Sequence, residues 1–238
     1  MSSWREDQLD RLTRPGLAQE QVFAALADIC RDIGFEYCSI GVRFPTLGNA
    51  PRESWSTNYP SHWQDYYHGN NCLALDPVIA TALRSAMPVV WTDELFKGQR
   101  AFWEEARKHG VRHGWTLAMH GRSGETGLIS LSRSDGAVST EELDEAETRL
   151  VWLSHTANSV IASLVASEHP AEIAPELTKR EREVLCWTAA GKTSFEVGVI
   201  LGISTRTINF HITAALTKLD ATNKTQAVAK AIMLDLLT

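Results

Sequence analysis

The sequence predicts an α+β chain in two parts: an N-terminal α/β/α sandwich built on an antiparallel sheet, and a C-terminal all-α unit of four helices containing a helix-turn-helix. Three observations predict it. Between residues 18 and 164 the apolar spacing switches between a period of about 3.6 and a period of 2, in the order helix, strands, helices, strands, helix. Three helix-start signals crowd into residues 178–204. The charge is also divided: from Pro175 onward 8 Lys/Arg face 6 Asp/Glu, a net of +2, while the remainder carries 15 against 23, a net of −8. At 238 residues two domains are the natural expectation, here 1–166 and 176–238. Residues 167–175, with two prolines, form the linker.

In chain order, residues 18–33 carry Val22, Leu26, Ile29 and Ile33 at helical spacing and stop at Gly34. Residues 35–44 alternate and are rich in Tyr, Ile and Val, which predicts a strand. Residues 54–57 are a weaker strand. Pro60 opens a helix through His68, and Pro77 opens a short one. Residues 89–91 read as a short strand, 100–109 as a helix, and 115–120 with 126–133 as a hairpin. A long helix opens at Ser139, with Glu142 completing an S-x-x-E capping box, and runs through Leu143, Leu150, Ala157 and Leu164.

The C-terminal unit is marked by its caps. Thr178 with Glu181 and Thr193 with Glu196 are both T-x-x-E, in which the hydroxyl takes the third amide and the carboxylate reaches back. Ser204 caps a third helix after the Gly202-Ile203 break. On that helix Ile208, Ile212, Ala215, Leu216 and Leu219 face inward, while Thr205, Arg206, Asn209, Thr213 and Thr217 face out. A solvated polar face is the ordinary explanation of such a pattern. The combination of capped short helix, Gly turn and donor-rich long helix favours a helix-turn-helix that meets phosphates and base edges.

Other signals set limits. Four cysteines without a C-x-x-C pair or a secretory leader fit a reduced, cytosolic protein. No apolar run approaches the roughly 20 residues of a membrane span, so a soluble protein without a membrane partner is expected. His109, His113 and His120 are separated by glycines and lack a carboxylate or cysteine to complete a zinc set, so no metal is expected. Neither a G-x-S-x-G elbow nor a P-loop occurs. Phosphate binding should be confined to the C-terminal part, and a +2 unit alone should hold DNA poorly.

Eight tryptophans is a high number, and several fall beside polar partners: Tyr59, Trp63, Tyr67, Asp76-Pro77, Trp91 and Phe102-Trp103. An aromatic pocket holding one carboxylate suits a mostly apolar ligand with an amide-like donor. The same residues equally describe an aromatic core in which Asp76 caps the helix begun at Pro77.

Here a resemblance adds to the residues. L-T-x-R-E-x-E-V-L at 177–185, W-x-A-x-G-K-T at 187–193, I-S-x-R-T-I-x-F-H at 203–211 and K-L at 218–219 resemble the DNA-binding domain of LuxR-type regulators. Glu181, Leu185 and Gly191 match that family's framework. Gly198 departs from it, since a small helix former such as Ala is usual there. Gly costs about 1 kcal/mol in a helix interior and should soften the second helix. The spacing W-x3-Y-x8-D-P-x13-W at Trp63, Tyr67, Asp76, Pro77 and Trp91 is similar to the family's acyl-homoserine-lactone-binding domain. So are M-P-V-V-W before Thr92 and G-V-R-H-G-W at 110–115.

The resemblance implies a bacterial quorum-sensing transcription regulator with no cofactor beyond its ligand and no enzymatic activity. It makes 1–166 an autoinducer-binding domain and 176–238 a DNA-binding domain. Trp63 would donate to the lactone carbonyl, Asp76 would accept the amide N–H, and Tyr59 would bond the acyl carbonyl with Ser39 or Ser130 assisting. Tyr67, Trp91, Phe102 and Trp103 would wall the ring and chain. Lys192, Thr193, Ser204, Thr205, Arg206, Asn209 and Thr213 would face DNA. The partners implied are a homodimer joined through part of the long helix, where Trp152 and Leu153 are adjacent, a palindromic double-stranded operator, and RNA polymerase if the protein activates. Relatives that answer to plant compounds tend to differ at the positions of Trp63 and Tyr67, and this sequence keeps the lactone pattern. The rival expectations are the same architecture sensing a non-lactone molecule, a response-regulator-like protein, for which no phospho-acceptor βα repeat exists, and an acyl-lactone hydrolase fused to a DNA-binding unit.

Overall fold

A computed structural model describes residues 3–45, 51–121, 124–168 and 176–237. The chain divides into two compact units, one ending with the long helix and one holding the C-terminal helices. Most of the expected linker, 169–175, lies outside the described residues.

The first unit opens on α1 (Trp4–Thr13), which the periodicity did not announce. Its signal was local: Ser3 and Glu6 form a capping box. Helix α2 (Gln19–Ile33) follows, with Gly34 as its left-handed C-cap. Strand β1 (Tyr37–Phe44) starts two residues later than expected, because the Phe35 amide is still closing the helix onto the Cys30 carbonyl at 3.0 Å. Then come β2 (Arg52–Thr57), α3 (Ser61–Gly69), a single 3₁₀ turn (Cys72–Ala74), α4 (Pro77–Ala82), β3 (Val89–Val90), α5 (Arg100–Lys108), β4 (His113–His120), β5 (Thr126–Arg133) and α6 (Thr140–Glu168).

All strand pairs are antiparallel, in the order β2-β1-β5-β4-β3. Because side chains alternate across a strand, the sheet has two distinct faces. On one, Cys38, Ile40, Val42, Trp115, Ile129 and Leu131 join Leu26, Leu150, Leu153 and Ile161 in the main core with α1, α2 and α6. Trp115 is fully buried, and its indole N–H meets Glu147 at 3.2 Å. Arg133 fastens the end of β5 to the start of α6 through two 2.7 Å bonds to Glu142. By length and composition α6 qualifies as a membrane span. Here its stripe Leu150, Leu153, Ala157, Ile161 and Val165 is spent on the core. Trp152 packs edge-on against Trp4 of α1 at 5.6 Å, so α1 covers part of the apolar surplus read from the sequence.

The opposite sheet face carries small and polar residues. α3, α4 and α5 lie over it with a smaller aromatic cluster of Trp63, Phe96, Phe102 and Trp103. Between that cluster and the sheet there is room.

The second unit comprises α7 (Lys179–Ala189), α8 (Ser194–Leu201), α9 (Thr205–Lys218) and α10 (Lys224–Met233). Both T-x-x-E boxes form, Ser204 caps α9 by accepting from the Thr207 amide, and Gly202 takes the left-handed turn at φ 68. Glu181 also accepts from Lys218 Nζ at 2.8 Å while only 5 % exposed, which ties α7 to the end of α9. Gly198 has a reason beyond helix softening. A Cβ there would stand 2.8 Å from the Ile203 carbonyl, so glycine lets the turn close directly onto α8.

Candidate functional site

A cavity of about 290 Å³ lies between the small-residue face of the sheet and α3, α4 and α5. All nine residues singled out in the sequence for the ligand (Ser39, Tyr59, Trp63, Tyr67, Asp76, Trp91, Phe102, Trp103 and Ser130) line it. They arrive from distant elements. β1 and β5 bring Ser39 and Ser130 into direct register. Pro60 starts α3 at an angle that puts Trp63 and Tyr67 one turn apart on the buried side.

Asp76 fulfils both of its readings. Its Oδ1 accepts the Val78 amide at 2.9 Å as the N-cap of α4, and its Oδ2 accepts the Tyr67 hydroxyl at 3.0 Å. A carboxylate has about four acceptor sites, so capacity remains on the cavity side. Burial pushes its pKa above the ordinary carboxylate value, against the pull of the Val78 amide, the Tyr67 hydroxyl and the Ile79 amide. Burial and the facing Asp76 raise the Tyr67 phenol well above its usual range, so it stays a donor. The Tyr59 phenol is raised in the same way, by burial first.

Aromatic rings form the rest of the helical wall. Trp63 is 4 % exposed and lies within 5.6 Å of both Tyr67 and Phe102. Phe96 and Trp103 stack in parallel, 3.9 Å apart. Trp103 turns its N–H away to Asp93 at 2.8 Å, so it offers the cavity a surface rather than a donor.

Sequence reasoning did not single out the remaining lining residues or the group that supports them. Thr116 receives the Trp91 indole N–H at 2.9 Å and donates to Ser130 Oγ at 2.9 Å. That chain holds the Ser130 hydroxyl in place on the cavity wall. Strand alternation placed Thr116 on the same face as Ser130, a signal available in the sequence. Phe96, Trp55 and Gln64 also line the space, without a comparable signal. Among the described residues no three His, Cys, Asp or Glu side chains gather as metal ligands. His109 instead pairs with Glu105 and lies against Trp63.

In the second unit, Lys192, Thr193, Ser204, Thr205, Arg206, Asn209 and Thr213 are all exposed. They divide by chemistry. The Thr193 and Ser204 hydroxyls are engaged in caps, and the Thr213 hydroxyl donates to the Asn209 carbonyl at 3.0 Å. Arg206 and Asn209 sit one turn apart on the open face of α9, and Lys192 is exposed just ahead of α8.

Comparison with known proteins agrees with both halves. Residues 18–161 match the autoinducer binding domain, and residues 175–231 match the bacterial regulatory proteins of the luxR family. The chain belongs to the luxR family. It is 35 % identical to the transcriptional activator AnoR of Acinetobacter nosocomialis over 239 residues, covering all of both chains. The crystal structure of Escherichia coli SdiA superposes with a TM-score of 0.76 at 33 % identity, over 99 % of this chain and 98 % of that one. SdiA has also been solved with octanoyl-rac-glycerol, with a TM-score of 0.72, 32 % identity and coverage of 98 % and 97 %. CepR2 of Burkholderia cenocepacia, described as N-acylhomoserine lactone dependent, matches with a TM-score of 0.61 at 28 % identity, over 67 % of this chain and 94 % of that one. This luxR-family chain is therefore an autoinducer-binding transcription regulator whose relatives are regulators rather than enzymes.

Proposed function

We propose that the cavity binds an N-acyl-homoserine lactone and that the protein, as a cytoplasmic homodimer, then binds a palindromic operator. The division of labour is 1–166 for the ligand, 167–175 as linker and 176–238 for DNA. The observation that carries the reading is the composition of the cavity wall: Asp76, a buried carboxylate beneath the aromatic helices, a few hydroxyl, amide and indole donors, a second carboxylate, Glu53, toward the sheet edge, and otherwise mostly apolar side chains. Each polar group of such a ligand meets its complement, so burial leaves none unpaired. Trp63 donates to the lactone carbonyl, Asp76 accepts the amide N–H, and Tyr59 with Ser39 or Ser130 donates to the acyl carbonyl. Tyr67, Trp91, Phe102 and Trp103 enclose the ring and chain.

The filled cavity adds binding free energy to the folded state and completes the aromatic cluster. Dimerisation through α6 sets two α9 helices on successive half-sites, and two linked +2 units gain from effective concentration where one makes few phosphate contacts. In an activator the assembled dimer would also present itself to RNA polymerase. Arg206 and Asn209 read base edges, Lys192 holds a phosphate, and Thr205 and Thr213 flank them.

A second reading, a non-lactone acyl compound, is favoured by the octanoyl-rac-glycerol bound to SdiA. A hydrolase has less support. Asp76 is committed to a cap and to Tyr67, and no base stands by Ser39 or Ser130 among the described contacts. The test is to express the full chain with and without a panel of acyl lactones and acyl glycerols and to identify what co-purifies by mass spectrometry. The proposal expects an intact acyl lactone; recovery of acyl glycerol alone, or of hydrolysed lactone, contradicts it.

A further inference from the structure

The face of the sheet that lines the cavity is banded across its strands. One rung sets Thr57, Ser39, Ser130 and Thr116 side by side in register, four hydroxyls. Two residues along, the next rung is Trp55, Gly41, Leu128 and Ala118, apolar apart from the indole N–H. The third is Glu53, Arg43, Thr126 and His120, where Arg43 meets Glu53 at 3.2 Å. A ligand lying on this face passes from hydroxyls to hydrocarbon to charge.

The hydrocarbon rung is also where the space is filled. The Trp55 ring covers Gly41 so closely that a Cβ at that position would stand 2.3 Å from ring carbons. On the strand at the far side of the cavity, Trp91 covers Gly114 in the same way, at 2.4 Å. β2 forms one sheet edge and β3 the other, so a tryptophan laid on a glycine bounds the cavity toward each edge. Trp55 is held from outside, its N–H directed at Glu53 Oε2 at 3.4 Å.

We propose that Trp55 ends the acyl-chain subsite and makes the protein a receptor for short-chain acyl lactones. The inference rests on the lactone reading. With the acyl carbonyl at the hydroxyl rung, the chain has one rung-to-rung step to run before it meets Trp55, about 6.8 Å for two residues of strand. At C–C bonds of about 1.5 Å, that is roughly four to six carbons in extended form. Beyond lies the Arg43–Glu53 pair, whose charges would lose water to an alkyl tail without gaining a partner. The cavity volume, about 290 Å³, falls at the lower end of the ~300–1,000 Å³ usual for small-molecule sites. Trp55 itself is 43 % exposed, so its truncation opens the rim without emptying the core.

The test titrates N-butanoyl, N-hexanoyl, N-octanoyl and N-dodecanoyl homoserine lactones against the full-length parent, Trp55→Ala and Trp55→Phe. The parent should favour hexanoyl over dodecanoyl. Trp55→Ala should move that ratio toward dodecanoyl by about tenfold or more, a pocket-size effect of the usual magnitude, and Trp55→Phe should keep the parent order. Trp55→Leu repeats the measurement if the alanine variant is insoluble. A parent that prefers dodecanoyl, or truncations that leave the ratio unchanged while lactones still bind, overturns the assignment of Trp55. Failure of every lactone to bind the folded parent instead removes the lactone reading, and this inference with it.

Discussion

In the unit that begins at Thr178, buried and terminal polar groups find partners close by in sequence: Thr178 with Glu181, Thr193 with Glu196, and Ser204 with Thr207 are each three residues apart. Around the cavity the corresponding pairs are distant. Tyr67 and Asp76 are 9 residues apart, Thr116 and Ser130 14, and Trp91 and Thr116 25. The helical unit satisfies its helix starts locally, packs its own apolar core, and presents Arg206 and Asn209 outward on α9. The sheet unit builds its polar wall from distant elements, and Asp76 and Ser130 line the cavity while bonded within that wall. One design is finished without a small molecule; the other is completed by one. That contrast makes predictions about which substitutions act on stability and which act on binding.

The largest effect should come from the long-range ion pair of the helical unit, between Lys218 and the buried Glu181. Lys218→Met leaves Glu181 buried with the Thr178 amide as its remaining partner. The expected loss is roughly 2–3 kcal/mol, below the 3–5 of a fully buried pair because Lys218 is 36 % exposed. Hydrogen exchange should report it in α7 and α9 peptides and spare the sheet; equal loss in both units would break the comparison. The pH dependence has a definite sign. Burial opposes ionisation of Glu181, but Lys218 and the Thr178 cap hold its pKa below the usual value. Its contribution is therefore complete above the unfolded value of about 4.3 and fades as pH falls through the folded one. Parent protection in α7 should decline in acid, and Lys218→Met should flatten that decline.

Next in size are the outward residues. On its preferred operator Asn209→Ala should cost about 1–3 kcal/mol and relax preference at one base pair per half-site. Lys192→Ala should weaken all sequences alike and reduce the salt slope by about one unit. Binding to an operator library at two salt concentrations separates them. A uniform loss for Asn209→Ala would make it a backbone contact.

The smallest effect, about 1 kcal/mol, belongs to Ser204→Ala, which removes the α9 cap. Its operator preference should be unchanged, because the hydroxyl is already bonded to Thr207. A changed base preference in the same library would move Ser204 from cap to contact.

The same contrast explains what was legible in the sequence. Helix caps are pairs three residues apart, so the starts of α7, α8 and α9 are read directly from the sequence, and Ser3 with Glu6 carries the same signal for α1. Strand alternation located β1, β4 and β5 and the faces they present. The cavity was different. Spacing alone left Asp76 either a helix cap or a pocket carboxylate, and only the fold shows that one side chain is a cap and a cavity group at once. Trp55 and Phe96 carried no such signal, since what makes them lining residues is how the strand pairing lays Trp55 on Gly41 and how the chain before α5 stacks Phe96 on Trp103.

The most direct measurement is calorimetric titration of N-hexanoyl homoserine lactone into the parent and Asp76→Asn, with the thermal midpoint of each ligand-free protein recorded. Asparagine caps a helix as well as aspartate does, but with its oxygen on the Val78 amide it no longer accepts from the Tyr67 hydroxyl, so the ligand-free variant should be less stable by about 1–2 kcal/mol and remain folded. The amide loses the charge-assisted bond, so affinity should fall by roughly 1.5–3 kcal/mol, about ten- to a hundredfold. Titrations that overlay, from two equally folded proteins, would contradict the account.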